Sequence, residues 1–230
     1  MKILVTGSKY FLLLSFFLVF TVTGSHAETA KETAARLQKR YDTIQSLSFD
    51  FVQHTRGQLT GRPKTGRGHA WFVKKPKPGK MRWNYSDPDR QVLVSNGKTF
   101  SMYFESLQQM IVTPAAALDK DLTYSFFTGA GNLLADFSIS DGEQQITNPE
   151  EETVIIKLTP KAQQTQVASI QLWITQSSLI RRIEITDLFD TITVLNFSNL
   201  QVDAMDLSNT EMLDKLFSFI PPKNTEIIKQ

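Results

Sequence analysis

The spacing of apolar residues along this chain changes from helical to strand-like soon after residue 45, and that change organises everything after it. Ala34, Leu37, Tyr41 and Ile44 recur three and four positions apart in a segment rich in Glu, Lys, Arg and Ala, which is the spacing of one helical face. An amphipathic helix is expected over about residues 29 to 45, with an apolar stripe that must cover something. From Leu47 the period is two: Leu47, Phe49 and Phe51 alternate with Ser48, Asp50 and Val52, as in a strand with one buried face.

Alternation continues through Trp71-Phe72-Val73-Lys74-Lys75, through Met81-Arg82-Trp83-Asn84-Tyr85, and through residues 91–95 and 99–104. Asn96-Gly97 between the last two is a tight-hairpin signal, so neighbouring strands are expected to be sequential and antiparallel. A second set of strands is expected at 154–158, 170–174, 180–185 and 192–197. Together they predict a many-stranded sheet with one polar face in water.

Residues 113 to 137 lose this order. Pro114 offers a helix start, Leu118, Leu122 and Phe126 stand four apart, Gly129 and Gly131 break the pattern, and Leu133 and Leu134 follow. Two short helices joined by a glycine link are expected. Residues 212–217 fit a short helix or a last strand, and Pro221-Pro222 ends regular structure.

The first residues bear on compartment. Lys2 and Lys9 precede the apolar run 10–20, and Ser25-His26-Ala27 supplies small residues at the cleavage positions, the pattern of a secretory signal peptide. The run is shorter than the roughly 20 residues that span a bilayer. Residues 1–27 are therefore read as a cleavable signal and 28–230 as a single exported domain, large enough for its own core. The chain has no cysteine, which excludes disulfides, thiolate metal sites and a cysteine-anchored lipoprotein form.

Lys2 and Lys9 are the only charges before Ala27, so the formal charge of +2 falls to zero on cleavage and predicts no bulk attraction to nucleic acid. Ten basic residues nevertheless crowd 56–90, from Arg56 to Arg90, while acidic residues crowd 136–152. Solvated hairpins account for the basic stretch, with a docking surface for an acidic partner as the alternative.

Catalytic chemistry is hard to place. After residue 27 the histidines are His54 and His69, neither in chelating spacing nor beside a Gly-x-Ser-x-Gly sequence. Residues 61–68 have the glycine spacing of a phosphate loop but lack its Lys-Ser/Thr and read as a hairpin turn. No catalytic residue, metal site or cofactor is assigned, and no enzyme is expected. What remains is surplus hydrophobic surface, and composition alone leaves a packed barrel core and a ligand cavity equally open.

An ordered series of short motifs bears on that choice. Phe49-x-Phe51-x-Gln53, Gly68-x-x-Trp71-Phe72-Val73-Lys74-Lys75-Pro76, Arg82-Trp83-x-Tyr85, Pro88-x-x-Gln91 running on to Lys98-Thr99, Leu158-Thr159-Pro160-Lys161 and Phe217-x-Phe219-x-Pro221-Pro222-Lys223 together resemble the LolA family of periplasmic outer-membrane lipoprotein carriers, over nearly the whole chain after residue 27. The resemblance implies a mainly β (α+β) fold: an incomplete antiparallel β-barrel, or half-barrel, with a helical lid over a hydrophobic cavity. It implies a periplasmic chaperone for protein transport in outer-membrane biogenesis.

Mapped onto this chain, the acyl-chain cavity is lined by Phe49, Phe51, Trp71, Val73, Met81, Trp83, Tyr85, Leu93, Ile170 and Leu172. The lid carries Leu118, Leu122, Phe126 and Phe127. The family's lid-locking arginine is replaced by Lys75, with Arg82 able to share the role; an ammonium lacks the planar five-donor fork. Implied partners are triacylated lipoproteins, an inner-membrane ABC lipoprotein-releasing complex and an outer-membrane acceptor, with the carrier itself a monomer. A carrier of another lipid or glycolipid, or a lipoprotein-sensing adaptor, stays open on these residues.

Overall fold

The computed structural model describes residues 28–57, 63–75, 77–116, 127, 131–143, 153–162 and 166–230. The proposed signal segment lies outside them. Among the described residues, no helix is long and apolar enough to cross a membrane.

The first helix, α1 (Ala30–Thr43), starts at a capping box: the Thr29 side chain accepts from the Glu32 amide, and the Glu32 carboxylate accepts from the Thr29 amide. Ala34, Leu37, Tyr41 and, just past its end, Ile44 are almost fully buried, as the three-and-four spacing requires.

Among the described residues, twelve strands follow in one sheet. They are β1 (Ser46–Arg56), β2 (Lys64–Val73), β3 (Lys80–Asp87), β4 (Gln91–Ser95), β5 (Thr99–Phe104), β6 (Gln109–Pro114), β7 (Phe137–Asp141), β8 (Thr153–Pro160), β9 (Ser169–Thr175), β10 (Ile180–Thr186), β11 (Ile192–Val202) and β12 (Glu226–Lys229). Two short helices with bounds among the described residues, α2 (Leu133–Asp136) and α3 (Thr210–Leu216), interrupt them. The spatial order is β12-β6-β5-β4-β3-β2-β1-β11-β10-β9-β8-β7. Every pairing is antiparallel except the parallel contact of β12 with β6. Long β1 and β11 join the halves, and β7 and β12 stay at the two ends, so the sheet is open.

Inner-face residues of strands from both halves, Trp83 of β3 and Ile156 of β8 among them, meet in one cluster with α1. The sheet therefore curves around that cluster. The Asn96-Gly97 hairpin forms as expected, with the Asn96 side-chain oxygen accepting from the Lys98 and Thr99 amides at 2.9 Å each. Gly97 has φ +88°, and a Cβ there would sit 2.7 Å from Pro78, so this turn requires glycine.

The spacing argument misplaces one element and overlooks three. Pro114, expected to start a helix, ends β6 opposite Thr99; lacking an amide hydrogen, proline is tolerated at a ladder's last position. The strands β6, β7 and β12 are not among those that periodicity predicts.

A second cluster lies on the outer face, where Leu213 and Phe217 of the C-terminal segment cover Val73, Val92, Val94, Tyr103 and Met110. Arg82 fastens this cover. Its guanidinium donates to the Leu216 carbonyl (2.8 Å), the Ser218 carbonyl (3.0 Å) and the Asn84 side chain (2.9 Å), where the C-terminal end of a helix favours a cation.

The basic stretch is largely spent inside the molecule. Lys80 pairs with Asp214, Arg67 with Asp87 and Arg90 with Glu105. Lys74 is turned inward at 5% exposure. Its Nζ donates to the Tyr41 carbonyl at 2.9 Å and lies 5.1 Å from the centre of the Tyr41 ring. The Lys74 amide donates to the Gln45 carbonyl, so this residue fixes the end of α1 to the end of β2.

Arg82→Ala should lower stability by about 1–3 kcal/mol in urea unfolding, because the Leu216 carbonyl at the helix end and the Ser218 carbonyl beyond it lose a charged donor. Lys74 makes a signed pH prediction. Burial pushes its ammonium down to about 8 from its ordinary 10.5, against the opposing pull of Asp42 and Asp203. Between those values the unfolded chain binds more protons, so stability rises with pH. Burial also raises the Tyr41 phenol above its ordinary 10.0, which opposes this trend only from about pH 10. Compared at pH 7 and 9.5, the wild type should gain stability relative to Lys74→Met; an unchanged difference would show that the lysine carries no such penalty.

Candidate functional site

The inner face is built around Phe49. Its ring centre lies 5.8 Å from Phe72, 5.7 Å from Trp83, 5.7 Å from Phe127 and 4.5 Å from Phe197. Phe51 continues the cluster to Trp83 at 4.6 Å and Tyr85 at 4.9 Å. Phe49 and Phe72 are stacked at 27° and the other pairs are tilted or edge-on, arrangements that aromatic quadrupoles favour. Register sets the arrangement: Phe49 pairs with Ala70, and Ala70 with Trp83. The small Ala70 between them leaves room for the two large rings to meet.

Phe127 differs from its neighbours in origin. It comes from the connection between β6 and α2, not from the sheet, yet it is 1% exposed. Its ring lies 5.2 Å from Phe72, 6.1 Å from Tyr41 and 5.9 Å from Phe197. Among the described residues, this side chain from the β6–α2 connection lies at the centre of the concave apolar face. Tyr41 reaches the same place from α1, and its hydroxyl accepts from the Ile180 amide.

Of the residues expected on an acyl-binding face, Phe49, Phe51, Met81, Trp83, Tyr85, Leu93, Ile170 and Leu172 share the inner cluster. Trp71 and Val73 do not. They lie on the opposite face against the outer cluster, which corrects their expected placement. Side chains alternate along β2, and with Ala70 and Phe72 inside, Trp71 and Val73 must face out. The same parity turns Lys74 inward and leaves Lys75 exposed, while Arg82 meets α3 on the outer face. Leu118, Leu122 and Phe126 lie outside the described residues.

Several residues of this cluster were not assigned to the cavity. Phe72, Phe100, Leu195 and Phe197 belong to it, although only strand periodicity could have marked them, and Tyr41 joins them from the apolar stripe of α1. Tyr85 adds a polar contact at its margin, donating to Gln53 Oε1 at 2.7 Å. Burial pushes its phenol up to about 12, so it is a neutral donor.

The outer face carries a cavity of about 440 Å³ lined by Asp50, Arg67, His69, Trp71, Asn84 and Ser86 among others. His69 Nδ1 lies 2.5 Å from Asp50 Oδ1, and Asn199 donates to Asp50 Oδ2 at 2.7 Å. Asn199, then His69, hold the Asp50 carboxyl below its ordinary range. His69, which the sequence places beside no ligand or nucleophile motif, is thus tied to a carboxylate. No third ligand joins them: among the described residues, no group of three or more His, Cys, Asp or Glu is placed to hold a metal.

Comparison with known proteins places this geometry in a family. The family model described as "Outer membrane lipoprotein carrier protein LolA" matches residues 42–219. An outer-membrane lipoprotein carrier protein of Methylococcus capsulatus is 27% identical over 205 residues, covering 89% of this chain and 90% of its own. Another, of Cupriavidus pinatubonensis, is 27% identical over 222 residues, covering 95% and 98%. A solved structure of an uncharacterized conserved protein from Thermus thermophilus shares the fold at a TM-score of 0.50 and 12% identity, covering 87% of this chain and 99% of that one. The chain, with its curved open sheet and aromatic inner face, belongs to the LolA family of outer-membrane lipoprotein carriers, which is not a family of enzymes.

Proposed function

We propose that this chain is a periplasmic carrier whose inner face takes the acyl chains of lipoproteins in place of Phe127. It receives them from an inner-membrane ABC lipoprotein-releasing complex and passes them to an outer-membrane acceptor. The observation that carries the reading is the occupancy of the aromatic face by a ring from a connecting segment. Phe127 belongs to no strand, so its ring can leave without breaking a strand pairing of its own, whereas displacing Phe49 or Trp83 would disrupt the sheet.

The energies suit a carrier. One acyl chain of about sixteen carbons, at roughly 0.8 kcal/mol per methylene, gains more than about ten kcal/mol gross on leaving water. A carrier that offered an empty, matching hollow would hold such cargo too tightly to release it. Here loading must first expel a buried phenylalanine, whose loss costs about 3–5 kcal/mol in typical cores. That cost weakens binding and favours unloading, because the apparent affinity is reduced by the scarcity of the open state.

In this reading Phe127, with the segment before it that holds Leu118, Leu122 and Phe126, is the lid. The cation next to it is Lys74, which binds the Tyr41 carbonyl below the ring that Phe127 touches. We therefore assign the lock to Lys74 in place of Lys75, acting through α1 and Tyr41, with Arg82 holding the outer cover.

Phe127→Ala should bind a fluorescent triacylated lipopeptide at least about tenfold more tightly, since no stopper must be expelled, while unfolding at lower urea. Titration by fluorescence anisotropy reads the first effect. Unchanged or weaker binding would mean that Phe127 is a contact for cargo or a structural residue, and not a stopper.

A further inference from the structure

Beyond the aromatic hub the inner face turns polar in an ordered way. Tyr85 donates to Gln53 Oε1 at 2.7 Å, Gln53 Nε2 donates to Thr55 Oγ1 at 3.2 Å, and Thr55 Oγ1 meets Thr193 Oγ1 at 3.2 Å. All four side chains lie on the concave side. Gln53 and Thr55 follow Phe49 and Phe51 at a spacing of two and are half-buried, while Val52, His54 and Arg56 are exposed. Thr193 stands two residues before buried Leu195 and opposite Thr55 in the β1–β11 register.

Two glycines make this ladder possible. Tyr85 belongs to β3 and Gln53 to β1, with β2 between them, so the phenol has to cross a whole strand, about 10 Å of sheet at two strand spacings. It crosses at Gly66, which pairs with Gln53 and where a Cβ would sit 3.1 Å from the Tyr85 ring. At Gly68 a Cβ would lie 3.0 Å from the Phe51 ring and 1.7 Å from the Asn84 carbonyl oxygen. Glycine weakens a strand interior and stands where another group comes close. By alternation, β2 then carries no inner-facing side chain between Lys64 and Ala70, and the ladder borders a bare strip that leads to the hub.

The ladder presents donors. Gln53 has two amide hydrogens, and one is directed at Thr55. The two threonine hydroxyls hold two hydrogens for the one contact between them, so one is left whichever donates. Among the described residues, no acceptor is paired with either spare hydrogen. Uncharged donors at the end of an apolar face suit a neutral carbonyl, and every acyl chain ends in one. A phosphate calls for charged donors, and of the ladder's registered neighbours the one cation, Lys64 opposite Thr55, is exposed.

Resting on the carrier reading above, we propose that Gln53 and the Thr55-Thr193 pair form the subsite for the ester carbonyls that join acyl chains to a lipoprotein. The hub takes the hydrocarbon, and the ladder fixes how far each chain enters and selects acyl esters over plain hydrocarbon.

The test compares two fluorescent lipopeptides that differ only in their glycerol linkages, ester in one and ether in the other, by anisotropy with protein recovered from the periplasm of an expression host. An ether keeps the chain and lacks the carbonyl. The wild type should bind the diester about tenfold more tightly, the worth of one or two neutral hydrogen bonds. Thr55→Val with Thr193→Val should lose this preference by weakening diester binding alone, whereas Thr55→Ser with Thr193→Ser should keep it. Gln53→Leu should lower the preference as well, which keeps the test decisive where the valine pair does not fold. Valine and serine pairs that behave alike would overturn the subsite. So would phosphatidylglycerol, which carries the same esters on a phosphate, if it bound more tightly than the lipopeptide and Lys64→Met removed that advantage. Wild-type protein that binds both lipopeptides equally refutes the ladder alone, whereas failure to bind either refutes the carrier.

Discussion

An open, curved sheet cannot cover its own concave face, and the rest of this molecule answers that constraint. A closed barrel would fill its interior from all sides with strand residues. Here β7 and β12 never meet, so the inner aromatic face needs a cover drawn from outside the sheet. The cover comes from α1, which contributes Leu37 and Tyr41, and from Phe127 on a connecting segment. Matter that belongs to no strand can be exchanged for other apolar matter without dismantling the fold, and on this the proposed acyl-chain binding depends.

The outer face obeys the same rule with a different result. There α3 and the residues after it cover Val73, Val92 and Tyr103, and the chain then ends as β12 alongside β6. Arg82 binds the carbonyls of Leu216 and Ser218, and Lys80 pairs with Asp214. This cover is tied down by charged donors and by a strand pairing, whereas Phe127 packs its ring against Phe49, Phe72, Phe197 and Tyr41. One face is built to stay shut, and the proposed function draws on the other.

Much of the fold is legible from periodicity, because α1 and the long hairpin strands bury one face each. The failures have a common cause. Strand β2 is apolar on both sides, since Phe72 meets the inner cluster and Val73 the outer, and a strand buried on both faces loses the alternation that would orient it. Mapping from the resemblance accordingly sets Trp71 and Val73 on the inner face, where alternation could not correct it, and it marks Lys75, beside Pro76, although the buried cation is Lys74. Short β6, β7 and β12 offer too few residues for a pattern. The aromatic hub is visible in Phe49, Phe51 and Trp83, but Phe197 is far off in the sequence and only the β1–β11 pairing brings it there. Of the polar ladder, the motif series marks Gln53, and only the same pairing brings Thr193 to Thr55.

The central claim is that acyl chains lie against the inner face and not elsewhere on the protein. The chain's three tryptophans, Trp71, Trp83 and Trp173, allow that to be read directly. In one variant Trp71 and Trp173 are replaced by phenylalanine, leaving inner-face Trp83; in a second, Trp83 and Trp173 are replaced, leaving outer-face Trp71. Each is titrated with a lipopeptide whose acyl chains carry bromine, a short-range quencher. The account predicts strong quenching of Trp83 and none of Trp71. Quenching of Trp71 with Trp83 unaffected, while the lipopeptide still binds, would contradict it.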